Sequence, residues 1–147
     1  MSLIENRKAH FNYEIGETYE AGIELLGFEV KSLRAGKGSL DGAHVVVRGG
    51  EAFLVGADIS PFQPKNTPEN YDSKRARKLL LTKKEISELG GYESKKGLTV
   101  IPLSVYNKGK KIKISVAVGK GKKLFDKRQS IKKKEAEREI RRTLKAE

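Results

Sequence analysis

Two adjacent glycines constrain the fold of this chain more than any other feature. Val45-Val46-Val47 and Phe53-Leu54-Val55 flank Arg48-Gly49-Gly50-Glu51. Paired glycines supply the positive φ that a tight hairpin turn requires, so the two apolar runs are predicted to be antiparallel neighbours. A second hairpin is predicted from Leu98 to Tyr106 and from Lys111 to Val118, across Asn107-Lys108-Gly109. In its second arm Ile112, Ile114, Val116 and Val118 share one side, and Lys111, Lys113 and Ser115 the other. That period of two fits a strand with one buried face.

The rest of the body reads as short elements. Phe11 to Ile15 and Phe28 to Leu33 are strand-like, and Arg34-Ala35-Gly36-Lys37-Gly38 is a basic loop. Glu17 to Leu26 places Tyr19, Ile23 and Leu26 at helical spacing, with Gly27 as the stop and Glu17, Glu20 and Glu24 on the opposite face. Pro61 to Ser73 holds three of the four prolines and reads as a long loop. Thr82-Lys83-Lys84-Glu85 fits a capping box opening a helix to about Leu89, ended by Gly90-Gly91. Six short strands and two short helices predict a small, mostly β barrel or sandwich.

Charge enters where the partner is at issue. Lys+Arg number 31 against 19 Asp+Glu, a net charge of +12. Such an excess on one small domain points to a polyanion, first a nucleic acid and second an anionic membrane. Residues 120–147 carry 12 of the basic and 5 of the acidic residues. The chain therefore divides into a near-ordinary body, residues 1–120, and a basic arm, residues 121–147, at the glycines of Gly119-Lys120-Gly121-Lys122-Lys123. In the arm only Ala136, Ile140 and Leu144 keep a four-residue apolar spacing, too thin a stripe to pack. It is predicted to be disordered when free and helical against an anionic surface. A membrane-binding helix would need more bulky apolar residues than Ile131, Ile140 and Leu144.

Other classes lack their residues. No apolar run approaches the ~20 residues of a membrane span, and the first ten residues do not read as a secretory signal. There is no cysteine, which suits a cytoplasmic protein. His10 and His44 stand apart from any carboxylate cluster, so neither a metal site nor His-assisted catalysis is supported. No phosphate-binding loop motif occurs, no cofactor is implied, and the chain is expected not to be an enzyme. No recognition helix or zinc finger is visible, and aromatic residues make up only 7%, which limits base stacking. What remains is a binder of structured RNA by shape, phosphate and a few edge contacts. Glu20 would accept there from a guanine edge or a ribose 2′-hydroxyl.

Seven strings, spread along nearly the whole chain, resemble one family. They are Asn6-Arg7-Lys8-Ala9, Glu20-Ala21-Gly22-Ile23, Gly27-Phe28-Glu29-Val30-Lys31-Ser32-Leu33-Arg34-Ala35-Gly36-Lys37, Gly50-Glu51-Ala52-Phe53-Leu54, Arg75-Ala76-Arg77-Lys78-Leu79-Leu80-Leu81, Lys96-Gly97-Leu98-Thr99-Val100-Ile101-Pro102-Leu103, and Gly119-Lys120-Gly121-Lys122-Lys123-Leu124-Phe125-Asp126-Lys127-Arg128. The chain is similar to the SsrA-binding proteins, also called small protein B. The resemblance implies a small antiparallel barrel similar to the oligonucleotide-binding fold, with two or three short helices and a basic C-terminal tail. It also implies trans-translation, in which the tRNA-like domain of transfer-messenger RNA is bound and brought, with elongation factor Tu and GTP, to stalled ribosomes. The tail would enter the decoding centre of the small subunit and the empty messenger channel against ribosomal RNA. The protein would act as a cytoplasmic monomer.

Carried over residue by residue, the family's RNA-contacting glutamate falls on Glu20, its supporting leucine on Leu80 and its strand lysine on Lys113. The matching basic strings add Lys31, Arg34, Lys37, Arg77 and Lys78. The tail signature falls on Asp126, Lys127 and Arg128, preceded by Lys122 and Lys123 and followed by Lys132, Lys133 and Lys134. His10, Phe11 and Tyr13 are the stacking candidates. Phe11 fills a column where the family often has histidine; it can stack but cannot hydrogen-bond, and His10 stands one position earlier. Asp41-Gly42-Ala43-His44 lacks the family's serine–tyrosine pair, so no contact of that loop is carried over.

Overall fold

A computed structural model describes residues 2–63, 65, 67–122 and 138. Its elements are β1 (Ser2–Glu5), α1 (Ala9–Asn12), β2 (Tyr13–Ile23), α2 (Gly27–Arg34), β3 (His44–Arg48), β4 (Glu51–Val55), β5 (Arg77–Leu80), α3 (Lys83–Glu93), β6 (Leu98–Lys108) and β7 (Lys111–Gly121). The strands follow the order β1-β6-β3-β4-β5-β2-β7, and a β6–β7 pairing closes the ring. All pairs are antiparallel. This is a mostly β barrel similar to the oligonucleotide-binding fold, not an open sandwich.

Both predicted hairpins are present. Arg48 pairs with Glu51 across Gly49 (φ 59°) and Gly50 (φ 74°). Lys108 pairs with Lys111, and Gly109 has φ 64°. Ile114 and Val116 enter the core with Leu33, Leu54, Leu79 and Val100. Among the described residues of the 61–73 loop no strand or α-helix occurs.

Four element predictions are corrected. The helix expected over Glu17–Leu26 is instead most of β2. A helix would have set Glu20 and Glu24 as a like-charge i,i+4 pair, whereas the strand turns Tyr19, Ala21 and Ile23 toward the core and pairs with β7 from Tyr13 to Gly22. The strand expected over Phe11–Ile15 begins only at Tyr13, because Phe11 and Asn12 close α1. Phe28–Leu33 is not a strand but part of α2, which Gly27 opens. Its buried side is Glu29, Ser32 and Leu33 at i, i+3 and i+4, and two of those three are polar. An apolar pattern could not reveal that face.

The fourth correction concerns α3. Its capping box holds, with Thr82 Oγ accepting from the Glu85 amide at 3.2 Å and the Glu85 carboxylate from the Thr82 amide at 3.0 Å. The helix nevertheless runs through Gly90 and Gly91 to Glu93. The Glu93 carboxylate accepts from the Val47 amide and from Arg48, each at 2.8 Å, so tertiary bonds to β3 carry the helix past its glycines. β1 and β5 have no counterpart among the predicted elements, and the body from Ser2 to Gly121 is built on seven strands and three α-helices.

An ion cluster ties α2 to the barrel. Glu29 is fully buried, and so is Arg77. The Glu29 carboxylate accepts from Arg77 Nη2 at 2.5 Å and Nε at 2.9 Å, from Arg75 Nη2 at 2.5 Å, from Tyr71 Oη at 2.8 Å and from the Leu26 amide at 2.8 Å. Burial pushes its pKa up, but the bonds from Arg75, the Leu26 amide, Arg77 and Tyr71 prevail and hold it at about 2. Among the described residues no helix is long and apolar enough to cross a membrane.

Candidate nucleic-acid interface

Directly opposed residues of antiparallel strands lie on the same face of the sheet, so register alone assembles the outer surface. Leu80 on β5 opposes Gly22 on β2, Gly22 opposes Lys113 on β7, and Lys113 opposes Tyr106 on β6. The next row runs from Glu20 on β2 through Ser115 on β7 to Ser104 on β6. Glu20, Leu80 and Lys113, from three distant stretches of sequence, thus share one patch. Leu80 is 51% exposed, an unusual position for a leucine. It lies over Gly22, where an added Cβ would sit 3.1 Å from Leu80 Cβ. Glycine at that point lets the leucine lie flat beside Lys113.

The acid in the patch is held in place. Tyr106 Oη donates to the Glu20 carboxylate at 2.6 Å and Lys108 Nζ at 2.8 Å. The bond from Lys108, then that from Tyr106, holds the Glu20 carboxyl below its usual range, so it stays an ionised acceptor. Burial, then the bond to Glu20, pushes the Tyr106 phenol up to about 12, so it stays a donor. Sequence reasoning missed Tyr106, Lys108 and Ser104. The signal was the alternation Ser104, Tyr106, Lys108 on β6, facing Lys111, Lys113 and Ser115 on β7.

The predicted triple-acid face does not exist. Glu20 faces outward on the sheet, whereas Glu17 accepts from Tyr19 Oη at 3.2 Å, and that phenol also donates to Glu88 of α3 at 2.9 Å. Glu24 follows the end of β2 and is exposed.

Among the basic candidates, Lys31, Arg34 and Lys37 are exposed on α2 and the turn after it. Arg34 Nη2 donates to the Lys110 carbonyl at 3.1 Å. Lys37 Nζ stands 5.4 Å from the Phe62 ring centre. Arg34 and Lys113 border a cavity of about 330 Å³ whose apolar floor includes Ile23, Val30 and Leu80. Lys78 is partly exposed and pairs with Glu51 at 3.1 Å. Arg77 is a correction: it has no exposed surface, and its guanidinium is spent on Glu29, Tyr71 and the carbonyls of Ala57, Ser73 and Arg75. It is a core residue and cannot touch RNA.

The root of the arm lies elsewhere. Tyr13 pairs with Gly121, the Lys122 amide donates to the Asn12 carbonyl at 2.9 Å, and Lys122 Nζ donates to the His10 carbonyl at 2.7 Å. His10 is exposed and Phe11 half-buried. The Tyr13 ring packs on Gly119, where an added Cβ would meet it at 3.0 Å. Lys123, Asp126, Lys127, Arg128, Lys132, Lys133 and Lys134 lie outside the described residues.

Comparisons with known proteins agree along the chain. The family model described as SmpB protein matches residues 3–146. An SsrA-binding protein of Microcystis aeruginosa is 50% identical over 143 residues, covering 97% of this chain and 93% of its own. One from Prochlorococcus marinus is 54% identical, covering 97% and 87%. One from Burkholderia vietnamiensis is 49% identical over 146 residues, covering 99% of both. A solved chain described as "tmRNA-SmpB: a journey to the center of the bacterial ribosome" superposes with a TM-score of 0.71 at 43% identity, over 87% of this chain and 93% of the other. A match of this extent, on a closed barrel that gathers Glu20, Leu80 and Lys113 on one face, makes the chain a member of the SmpB (SsrA-binding protein) family.

Proposed function

We propose that the chain binds the tRNA-like domain of transfer-messenger RNA and delivers it to stalled ribosomes for trans-translation. The observation that carries this reading is the patch of Glu20, Tyr106, Lys108, Lys113 and Leu80. It joins an ionised acceptor, a phenolic donor, ammonium groups and an apolar shelf within three adjacent rows of one sheet. A surface built only to attract phosphate would not hold a carboxylate at its centre. A surface that reads ribose hydroxyls and base edges would. The basic arm, leaving the body after Lys122, has a separate role on the ribosome. It enters the decoding centre and empty messenger channel and folds there through Asp126, Lys127, Arg128 and the lysines that follow. Elongation factor Tu with GTP accompanies the complex, and the protein acts as a cytoplasmic monomer.

The deciding experiment is a salt titration of binding to the tRNA-like domain beside an ordinary elongator tRNA. A preference of ~10³-fold or more that survives moderate salt is the expected result. Equal binding to both, collapsing with salt, would replace this function with that of a generic basic RNA binder. In the same assay Glu20→Ala is expected to weaken binding to the tRNA-like domain by ~1–3 kcal/mol; an unchanged dissociation constant would remove Glu20 from the interface. Lys113→Ala is expected to lower the slope of log K against log salt by about one unit. An unaltered slope would make Lys113 a structural residue.

A further inference from the structure

A second group of RNA-compatible donors lies beside the patch. Ser115 stands between Glu20 and Ser104 in the same row, and Ser104 in turn opposes Glu5 of β1. Beyond the two serines a cavity of about 480 Å³ opens, lined also by Arg7 and His10. That volume is within the ~300–1,000 Å³ of small-ligand pockets. Among the described residues the side chains of Arg7, His10, Ser104 and Ser115 have no hydrogen-bond or ion-pair partner. The Glu20 and Lys122 side chains, on either side of them, are both engaged. The cavity is held open by the backbone. The ladder shifts by one residue between Pro102 and Ser104. There Asn6 Nδ2 donates to the Pro102 carbonyl at 2.9 Å and the Asn6 amide to the Leu103 carbonyl at 2.8 Å. These two bonds pin the segment entering α1 against β6, with Arg7 and His10 beside the serines.

We infer that this cavity binds one phosphodiester unit of an RNA strand that continues from the Glu20 patch toward the root of the basic arm. A guanidinium, an imidazole and two hydroxyls suit the non-bridging oxygens of a singly charged diester. Glu5 also lines the cavity; its carboxylate disfavours a more highly charged free phosphate and leaves an acceptor for a ribose hydroxyl. The inference rests on the RNA-binding reading above and adds a site to it. The RNA is either the tRNA-like partner or ribosomal RNA, and the two are separable by experiment.

The test uses the full-length protein in two arms, binding to the tRNA-like domain and binding to purified small ribosomal subunits, with Glu20→Ala alongside. Arg7→Gln is expected to weaken one arm about tenfold and lower its salt slope by about one, with Arg7→Lys restoring the slope. The Ser104→Ala/Ser115→Ala pair is expected to weaken the same arm by roughly three- to tenfold, with an unchanged thermal melt. The arm that responds names the source of the strand. If neither arm responds while Glu20→Ala still weakens the first, the cavity is not an RNA site and the function stands. If the wild-type protein binds neither RNA, the function falls and the cavity site with it.

Discussion

Glu29→Gln is expected to destabilise the fold more than any other single polar substitution in the body, by on the order of 3–5 kcal/mol. The reason lies in what would stay behind. Arg77 is fully buried, and its guanidinium would face only a neutral amide, the Tyr71 phenol and the carbonyls of Ala57, Ser73 and Arg75. An unpaired buried cation costs far more than the pair contributes. The loss takes a large share of the 5–15 kcal/mol typical of a domain. Equilibrium urea unfolding of both proteins measures it directly, and a difference below about 1 kcal/mol would mean that the cluster is solvated. The consequence reaches the candidate interface through α2, whose first turn is closed by the Glu29 carboxylate on the Leu26 amide and whose last residue, Arg34, borders the Leu80 cavity.

The same carboxylate sets a pH dependence with a definite sign. Its folded-state value of about 2 lies below the unfolded value near 4.3. A group whose pKa is lowered on folding adds stability that is fully present above the unfolded value and is lost as pH falls through the folded one. Wild-type stability is therefore expected to fall between about pH 4.5 and pH 2, and Glu29→Gln to flatten that part of the profile. A parallel decline in both proteins would assign the acid sensitivity to other carboxylates.

This cluster also marks where the sequence stops being legible. The hairpins are readable because glycine pairs and period-two patterns are local signals, and Lys113 can be placed on the polar side of its strand from that pattern alone. The α2 helix is not readable, because its buried face carries Glu29 and Ser32, and only the distant Arg75 and Arg77 make that burial favourable. β2 reads as a helix because Tyr19 and Ile23 fit both periods and Leu26, beyond the strand's end, adds a third helical position; the long pairing with β7 decides between them. Glu20 stands out in the sequence as an acid in a basic protein, but on the wrong element. Its partners Tyr106 and Lys108 lie more than eighty residues away. Arg77 fails as a surface candidate for the same reason that α2 does: a charge in a basic string gives no local sign of being buried.

Removing residues 126–147 is expected to separate RNA capture from entry to the ribosome. The Glu20 patch is built from β2, β5, β6 and β7, and its bonds among the described residues stay within those strands. The arm leaves the body where Lys122 is tied to Asn12 and His10, and Glu20 stands seven residues along β2 from Tyr13, about 20 Å of extended chain. A charge at that root acts on the patch only through a field that physiological salt screens within ~8 Å. Affinity for the tRNA-like domain at moderate salt is therefore expected to stay within about tenfold of the full chain. Tagging of nascent chains on stalled ribosomes in a reconstituted translation reaction is expected to fall to background, because the contacts that the proposed function gives the arm at the empty decoding site would be lost. A large loss of RNA affinity would make the arm part of the primary RNA site. Tagging at the full rate would show that the body alone licenses entry to the ribosome, and would move the search for that contact to His10, Phe11 and the Arg7 cavity.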